Sequence, residues 1–165
     1  MSNQRADRKN GSTPVIENRK ARHDYFVDET IEAGIALVGS EIKSIRAGRV
    51  NLTESYVRIE RGEAVLLNAH IATWLQAGTH FNHEPLRPRK LLLHQAEIRN
   101  LRQKTEQKGL TLVPLKMYFV RGKAKLEIGV ARGKKLYDKR DSMAERDSKL
   151  EIARAMRSRT KGFED

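Results

Sequence analysis

The stretch Val113-Pro114-Leu115-Lys116-Met117-Tyr118-Phe119-Val120-Arg121-Gly122-Lys123-Ala124-Lys125-Leu126-Glu127-Ile128-Gly129-Val130-Ala131-Arg132 reads as two strands folded back on one another. Val113, Leu115, Met117 and Phe119 alternate along the first. Leu126, Ile128 and Val130 alternate with Lys125, Glu127 and Gly129 along the second, the period of a half-buried strand. Gly122 turns one into the other. Upstream, Tyr56 to Glu60 and Ala64 to His70 form a second strand pair across Arg61-Gly62. His23 to Leu37 carries Tyr25, Val27, Ile31, Ile35 and Leu37 as a long strand, bent near Gly34.

Helices fall between the strands. Gly39-Ser40 offers a turn and an N-cap for Glu41 to Ala47, with Ile42 and Ile45 on one face and Gly48 as the stop. Gly78 to Pro88 holds Gly, Asn, His and two Pro and reads as a surface loop. Pro88 suits the first turn of a helix, so Lys90 to Lys108 is expected to be a short helical piece and a longer one. Ile98, Leu101 and Thr105 form its inner face, and Gly109 ends it. Strands in meandering order with a helix between two of them predict a mainly β fold, a small closed antiparallel barrel with two or three short helices.

Composition narrows the function. The 165 residues hold 33 Lys and Arg against 21 Asp and Glu, a net charge of +12. Such a charge draws polyanions. No apolar run approaches the roughly 20 residues that span a bilayer, and the first 15 residues lack the apolar segment of a signal peptide. The absence of cysteine excludes disulfides and thiolate metal sites and fits a cytoplasmic protein. Without secretion, the Asn51-Leu52-Thr53 sequon carries no meaning. RNA or DNA is the favoured partner.

The cations are clustered. Arg121 to Arg140 holds eight Lys or Arg against Glu127 and Asp138, and Arg87 to Lys108 holds seven against Glu97 and Glu106. A single run of this kind reads equally well as a solvated face. Two runs together with Asn18-Arg19-Lys20-Ala21-Arg22-His23 in one small domain point to phosphate binding. Four Phe, four Tyr and one Trp are too few for a stacking groove, so contact with a structured RNA through backbone and shape fits better. Enzymatic readings find no support: GxSxG, Walker and GxGxxG patterns are absent, Glu29, Glu32 and Glu41 flank element ends as surface acids do, and His80-x-x-His83 sits in a loop without a metal-site context. No catalytic residue, metal or cofactor is expected.

Three regions result: a disordered lead (1–15), a folded domain (16–133) and a basic tail (134–165). From Arg132 onward there are 11 Lys and Arg against seven acids. Leu136, Met143 and Leu150 fall at seven-residue steps, extended by Ala153 and Met156. That stripe is narrow, and it predicts a conditional helix that orders against a partner in preference to docking on the domain.

Glu17-Asn18-Arg19-Lys20-Ala21-Arg22-His23-Asp24-Tyr25-Phe26, Glu32-Ala33-Gly34-Ile35 and Gly39-Ser40-Glu41-Ile42-Lys43-Ser44-Ile45-Arg46-Ala47-Gly48 resemble the bacterial SsrA-binding proteins (small protein B). So do Arg87-Pro88-Arg89-Lys90-Leu91-Leu92-Leu93-His94, Gly133-Lys134-Lys135 and Tyr137-Asp138-Lys139-Arg140. The resemblance runs from about Ile16 to Met156; Ala72-Thr73-Trp74 departs from the family's more usual Pro-Tyr-containing stretch. It implies a barrel of oligonucleotide-binding type with about six strands and a tail that orders on the ribosome. Such proteins bind the tRNA-like domain of transfer-messenger RNA and deliver it to stalled ribosomes, where the tail probes the empty mRNA channel beside small-subunit rRNA.

By this resemblance Asn18, Glu32 and Leu92 match positions tied to RNA binding, and Tyr137, Asp138, Lys139 and Arg140 match the motif required at the decoding centre. Neighbouring cations and partners complete the candidate sets: Arg19, Lys20, Arg22, His23, Glu41, Lys43, Arg87 and Lys90 for RNA, Lys134 and Lys135 for the tail. Glu32 would accept from a base or 2′-hydroxyl, or orient Arg22 or Lys43. The expected form is a monomer acting away from membranes. A general ribosome- or tRNA-binding barrel, a basic adaptor with a partner-binding tail helix and an RNA-modifying enzyme are the alternatives.

Overall fold

The computed structural model describes residues 13–161, with the backbone alone at 136, 137 and 159–161. Positions 1–12 of the expected lead, and 162–165 with Phe163, lie outside the described residues; 13–15 carry no regular structure. The elements in chain order are β1 (Ile16–Glu17), α1 (Arg19–Asp24), β2 (Tyr25–Ile35), α2 (Gly39–Arg46), β3 (Val50–Asn51), β4 (Tyr56–Glu60), β5 (Glu63–Leu67), β6 (His70–Ile71), β7 (Arg89–Leu92), α3 (Gln95–Lys108), β8 (Thr111–Val120), β9 (Lys123–Gly133) and α4 (Leu136–Lys161). Six strands close into a ring, β8–β4–β5–β7–β2–β9 and back to β8. Every pairing is antiparallel. β1 adds to β8, and β3 pairs with β6 in a separate two-stranded sheet.

The two hairpins at β4–β5 and β8–β9 use the same device. Glu60 faces Glu63 and Val120 faces Lys123, leaving two-residue loops, Arg61-Gly62 and Arg121-Gly122. All four residues have positive φ, 50° and 75° in the first loop and 50° and 77° in the second. That is the primed geometry whose twist matches the flanking strands, and glycine takes it without steric cost.

The core is divided by two bulges. In β2 the register slips between Val27 and Glu29, so Asp28 is an extra residue; in β8 it slips between Pro114 and Lys116, so Leu115 is extra. One extra residue moves every later side chain to the other face. Ile31, Ala33 and Ile35 therefore point into the ring with Leu112, Met117, Leu126, Ile128 and Val130. Tyr25 and Val27 point outside it, with Val113, Leu115, Ala131 and Ala21 of α1, forming a second, smaller core. The expected alternation of Val113, Leu115, Met117 and Phe119 is thus correct as a strand and wrong as a single face. Gly129 belongs to this arrangement: a Cβ there would stand 3.1 Å from Leu115 Cδ1.

Four expected boundaries are corrected. The chain does not enter β2 at His23, because Asn18 starts a helix first. Its Oδ1 accepts from Ala21 N (3.2 Å), while its Nδ2 donates to Leu52 O (3.0 Å) and Pro114 O (2.9 Å). Lys90 to Leu92 is a strand, not helix: Arg89 and Leu91 are buried and Lys90 and Leu92 exposed, a period of two set by pairing with β5 and β2. The helix starts at Gln95, where Glu97 accepts from His94 N (2.8 Å), and it buries Ile98 and Leu101 as expected. The strand from Ala64 stops at Leu67, and His70 joins β6 instead. In α2 the N-cap is Val38, not Ser40.

Asn18 also carries a prediction. Asn18→Ala removes a cap of about 1 kcal/mol and takes the Nδ2 donor from the buried Pro114 carbonyl at about 1–3 kcal/mol, whereas Leu52 O keeps Ser55 N (3.1 Å) and Ser55 Oγ (2.6 Å). Urea denaturation should show a loss of roughly 2–4 kcal/mol in sum; a loss under about 0.5 kcal/mol, typical of surface changes, would mean that α1 is not held this way.

Candidate nucleic-acid interface

Three groups of candidate residues gather on the ring. The first surrounds a cleft of about 450 Å³ between β2, β7, β9 and α3, lined by Glu32, Lys90, Leu92 and Lys125 among others. Leu92 is 55% exposed, which excludes a core role for it. It alternates outward from buried Leu91 and lies against Gly34, its partner across the β2–β7 pairing. Lys90 pairs with Glu63 at 2.6 Å at the cleft edge. Glu32 is exposed and its Oε2 accepts from the Tyr118 hydroxyl. Its partner is therefore Tyr118, not Arg22 or Lys43.

The second group is α1, which presents Arg19, Lys20 and Arg22 to solvent. Lys20 pairs with Glu54 at 2.5 Å, and the hydrogen bond and charge of that partner raise its pKa. Arg22 reaches Glu127 at 3.9 Å. His23 Nδ1 lies 2.9 Å from Asp24 Oδ1. The same carboxyl meets Lys139 Nζ of α4 at 3.3 Å. The His23 hydrogen bond first, and then Lys139, hold Asp24 below the usual carboxylate range against the opposing effect of burial. The tail thus leaves the ring beside α1. Lys134 reinforces the junction: its N donates to Asp24 O (2.8 Å) and its Nζ to Ser142 Oγ (3.0 Å). Arg132 and Lys134 sit 5.4 and 5.0 Å from the Phe26 ring centre.

The third group is internal. Glu41 is fully buried; its Oε1 accepts from Arg89 Nε (2.8 Å) and Arg87 Nε (3.2 Å), its Oε2 from Arg87 Nη2 (2.7 Å) and Val38 N (3.0 Å). Burial opposes the charge, but the hydrogen bonds from Arg87, Val38 and Arg89 outweigh it and hold the carboxyl below its ordinary value. Arg89 is equally buried and also donates to Ala69 O (2.6 Å) and Pro85 O (3.0 Å). Glu41 and much of Arg87 therefore serve the fold, while Lys43 remains exposed on α2. His83 of the His80-x-x-His83 pair is also structural, its ring nitrogens lying 2.8 Å from Ser40 Oγ and 2.9 Å from Ile71 O.

The tail is a 26-residue helix. Asp138 Oδ2 accepts from Lys135 N (3.2 Å) and secures its first turn. Beyond Ser142 the described side chains are exposed, including Met143 (52%) and Leu150 (55%). Of the expected apolar row, Met143, Leu150, Ala153 and Met156 are exposed, so this part of the helix does not dock along the ring; the Leu136 side chain lies outside the described residues.

The model of the family described as "SmpB protein" matches residues 15–158. The chain belongs to the SmpB family. It is 61% identical over 147 residues to the SsrA-binding protein of Roseiflexus sp. (strain RS-1), covering 89% of this chain and 93% of that one. It is 62% identical over 147 residues to the SsrA-binding protein of Symbiobacterium thermophilum, covering 88% and 92%. A solved structure described as "tmRNA-SmpB: a journey to the center of the bacterial ribosome" matches with a TM-score of 0.64 and 55% identity, over 79% of this chain and 94% of that chain.

Within this SmpB-family fold, three residues have roles that the sequence reading did not assign to them. Lys125 faces Gly34 across β2–β9 and so reaches the cleft; its outward phase beside Leu126 was a usable signal. Tyr118 stands on the outward side of β8 between Met117 and Phe119, and only the ring closure brings it to Glu32. Arg89 reads as one more surface cation, and nothing local marks it as buried.

Proposed function

We propose that this chain binds the tRNA-like domain of transfer-messenger RNA through the ring and delivers it to stalled ribosomes for trans-translation. The ring is read as a barrel of oligonucleotide-binding type, with the Glu32–Lys90–Leu92–Lys125 cleft and the α1 cations as its RNA surface. The α4 helix is read as a conditional arm that orders fully against small-subunit rRNA, with Lys134, Lys135, Tyr137, Asp138, Lys139 and Arg140 at the decoding centre. Asn18 acts from behind this surface: its amide is bonded within the chain, so it positions α1 and does not touch RNA. The chain works as a cytoplasmic monomeric adaptor and not as an enzyme; no described helix is long and apolar enough to cross a membrane.

The observation that carries this reading is the division of the molecule. A cleft bordered by cations and an exposed Leu lies on the ring, while a long basic helix leaves it from the side of α1. A chain ending after Gly133 should therefore keep most of its affinity for the tRNA-like domain. Its binding should weaken with salt, log K falling by roughly 0.7 to 0.9 per phosphate neutralised for each decade of salt. Filter binding across a salt series checks both; affinity that leaves with the tail, or a flat salt response, overturns the division.

A further inference from the structure

The cleft beside Glu32 is bordered by Lys90, Leu92, His94, Gln95 and Lys125, and among its described lining residues the His94 imidazole is the sole ring. An unpaired base held by a protein ordinarily stacks on an aromatic ring or a guanidinium plane. Leu92 offers a small aliphatic surface instead, suited to the C–H face of a sugar. Lys90 and Lys125 supply point charges for flanking phosphates. A carboxylate among them repels phosphate, so it takes part by accepting a hydrogen bond. The donor that every ribose brings, and deoxyribose lacks, is the 2′-hydroxyl.

The carboxylate is held from behind. Tyr118 does not line the cleft, yet its hydroxyl donates to Glu32 Oε2 and leaves Oε1 to accept from a ligand. Across the β2–β9 pairing Glu32 stands directly opposite Glu127, a like-charge pair that favours outward rotation of Glu32. Glu127 has its own cations, Lys116 at 3.6 Å and Arg22 at 3.9 Å. For Glu32 the restraint is Tyr118. Burial, and then the Glu32 hydrogen bond and charge, push the Tyr118 hydroxyl up to about 12, so it remains a donor at physiological pH.

We infer that Tyr118 is a positioning residue for RNA recognition, fixing Glu32 so that Oε1 accepts from the 2′-hydroxyl of a ribose seated against Leu92. This rests on the reading of the cleft as the RNA site. The test titrates full-length wild type, Tyr118→Phe, Glu32→Gln and the double variant with tRNA-like-domain RNA, and with the same RNA carrying single 2′-deoxy substitutions. Tyr118→Phe should bind about tenfold more weakly, the scale of a lost hydrogen bond to a charged group. The double variant should be no weaker than Glu32→Gln, since the two side chains act as a unit. One 2′-deoxy position should weaken wild type by about tenfold, yet change Tyr118→Phe by less than about twofold.

Unchanged binding by Tyr118→Phe, additive losses in the double variant, or a wild type indifferent to every 2′-deoxy substitution would each overturn the inference. The last result would return Glu32 to a base donor, and Tyr118 to mere relief of the Glu127 repulsion. Failure of wild type to bind the RNA at all is a different outcome, and it removes the functional reading together with the inference.

Discussion

Replacing Asp138, Lys139 and Arg140 together with Ala is expected to abolish tagging of stalled peptides. Affinity for transfer-messenger RNA should fall by no more than about threefold, the scale of a few exposed charges. These residues stand at the root of α4, away from the cleft. Asp138 caps the first turn through Lys135 N, and Lys139 pairs with Asp24 beside α1. In the structure the motif thus holds the root of the tail beside α1, whereas in the proposed function the same cations would meet rRNA phosphates. Asp24→Asn separates the two roles, because it weakens the Lys139 contact and leaves the motif intact. That variant should tag at near the normal rate. A triple variant that tags normally would remove the tail from the mechanism; an Asp24→Asn variant as inactive as the triple would reduce the motif to an anchor.

The largest loss of stability is expected from Glu41→Ala. It leaves the Arg89 guanidinium, fully buried, without its counter-charge, and breaking a buried pair by removing one partner costs about 3–5 kcal/mol. Equilibrium urea denaturation at neutral pH measures it, and a loss below about 1 kcal/mol would mean that water reaches Arg89. The pair also sets a pH dependence. The folded carboxyl lies below its ordinary value, so at acid pH the unfolded chain binds more protons than the folded one. Its contribution is complete above the ordinary Glu pKa of about 4.3 and is lost as pH falls through the lower folded value. Wild type should therefore lose this increment in acid, whereas Glu41→Ala has none to lose, and the two stabilities should converge there.

The strands of the ring were legible because each hairpin writes its own period and turn. Leu126, Ile128 and Val130 alternate, and Arg-Gly loops close both pairs. What the pattern hides is a change of face inside a strand. Bulges at Asp28 and Leu115 leave the alternation intact in the sequence while reversing its direction in space, so the second core under α1 could not be read. Period also failed over Arg89 to Leu92, where four residues are too short to choose between helix and strand and the pairing partners decide. In the candidate interface the family resemblance singled out Glu32, Leu92 and the tail motif, and Glu32 and Leu92 line one cleft. The sequence reading also counted Glu41 and Arg87 as surface residues, although a buried carboxylate with two arginines is a structural knot. Tyr118 meets Glu32 across 86 positions of chain, a contact that only tertiary structure supplies.

The most direct test of the account is the RNA that the full-length chain carries from cells. Sequencing the copurified RNA should find one dominant structured species, transfer-messenger RNA, displaced as salt is raised. A mixture of ribosomal RNA fragments would point to a general ribosome-binding protein, and the absence of RNA to an adaptor for a protein partner; either result would contradict the central claim.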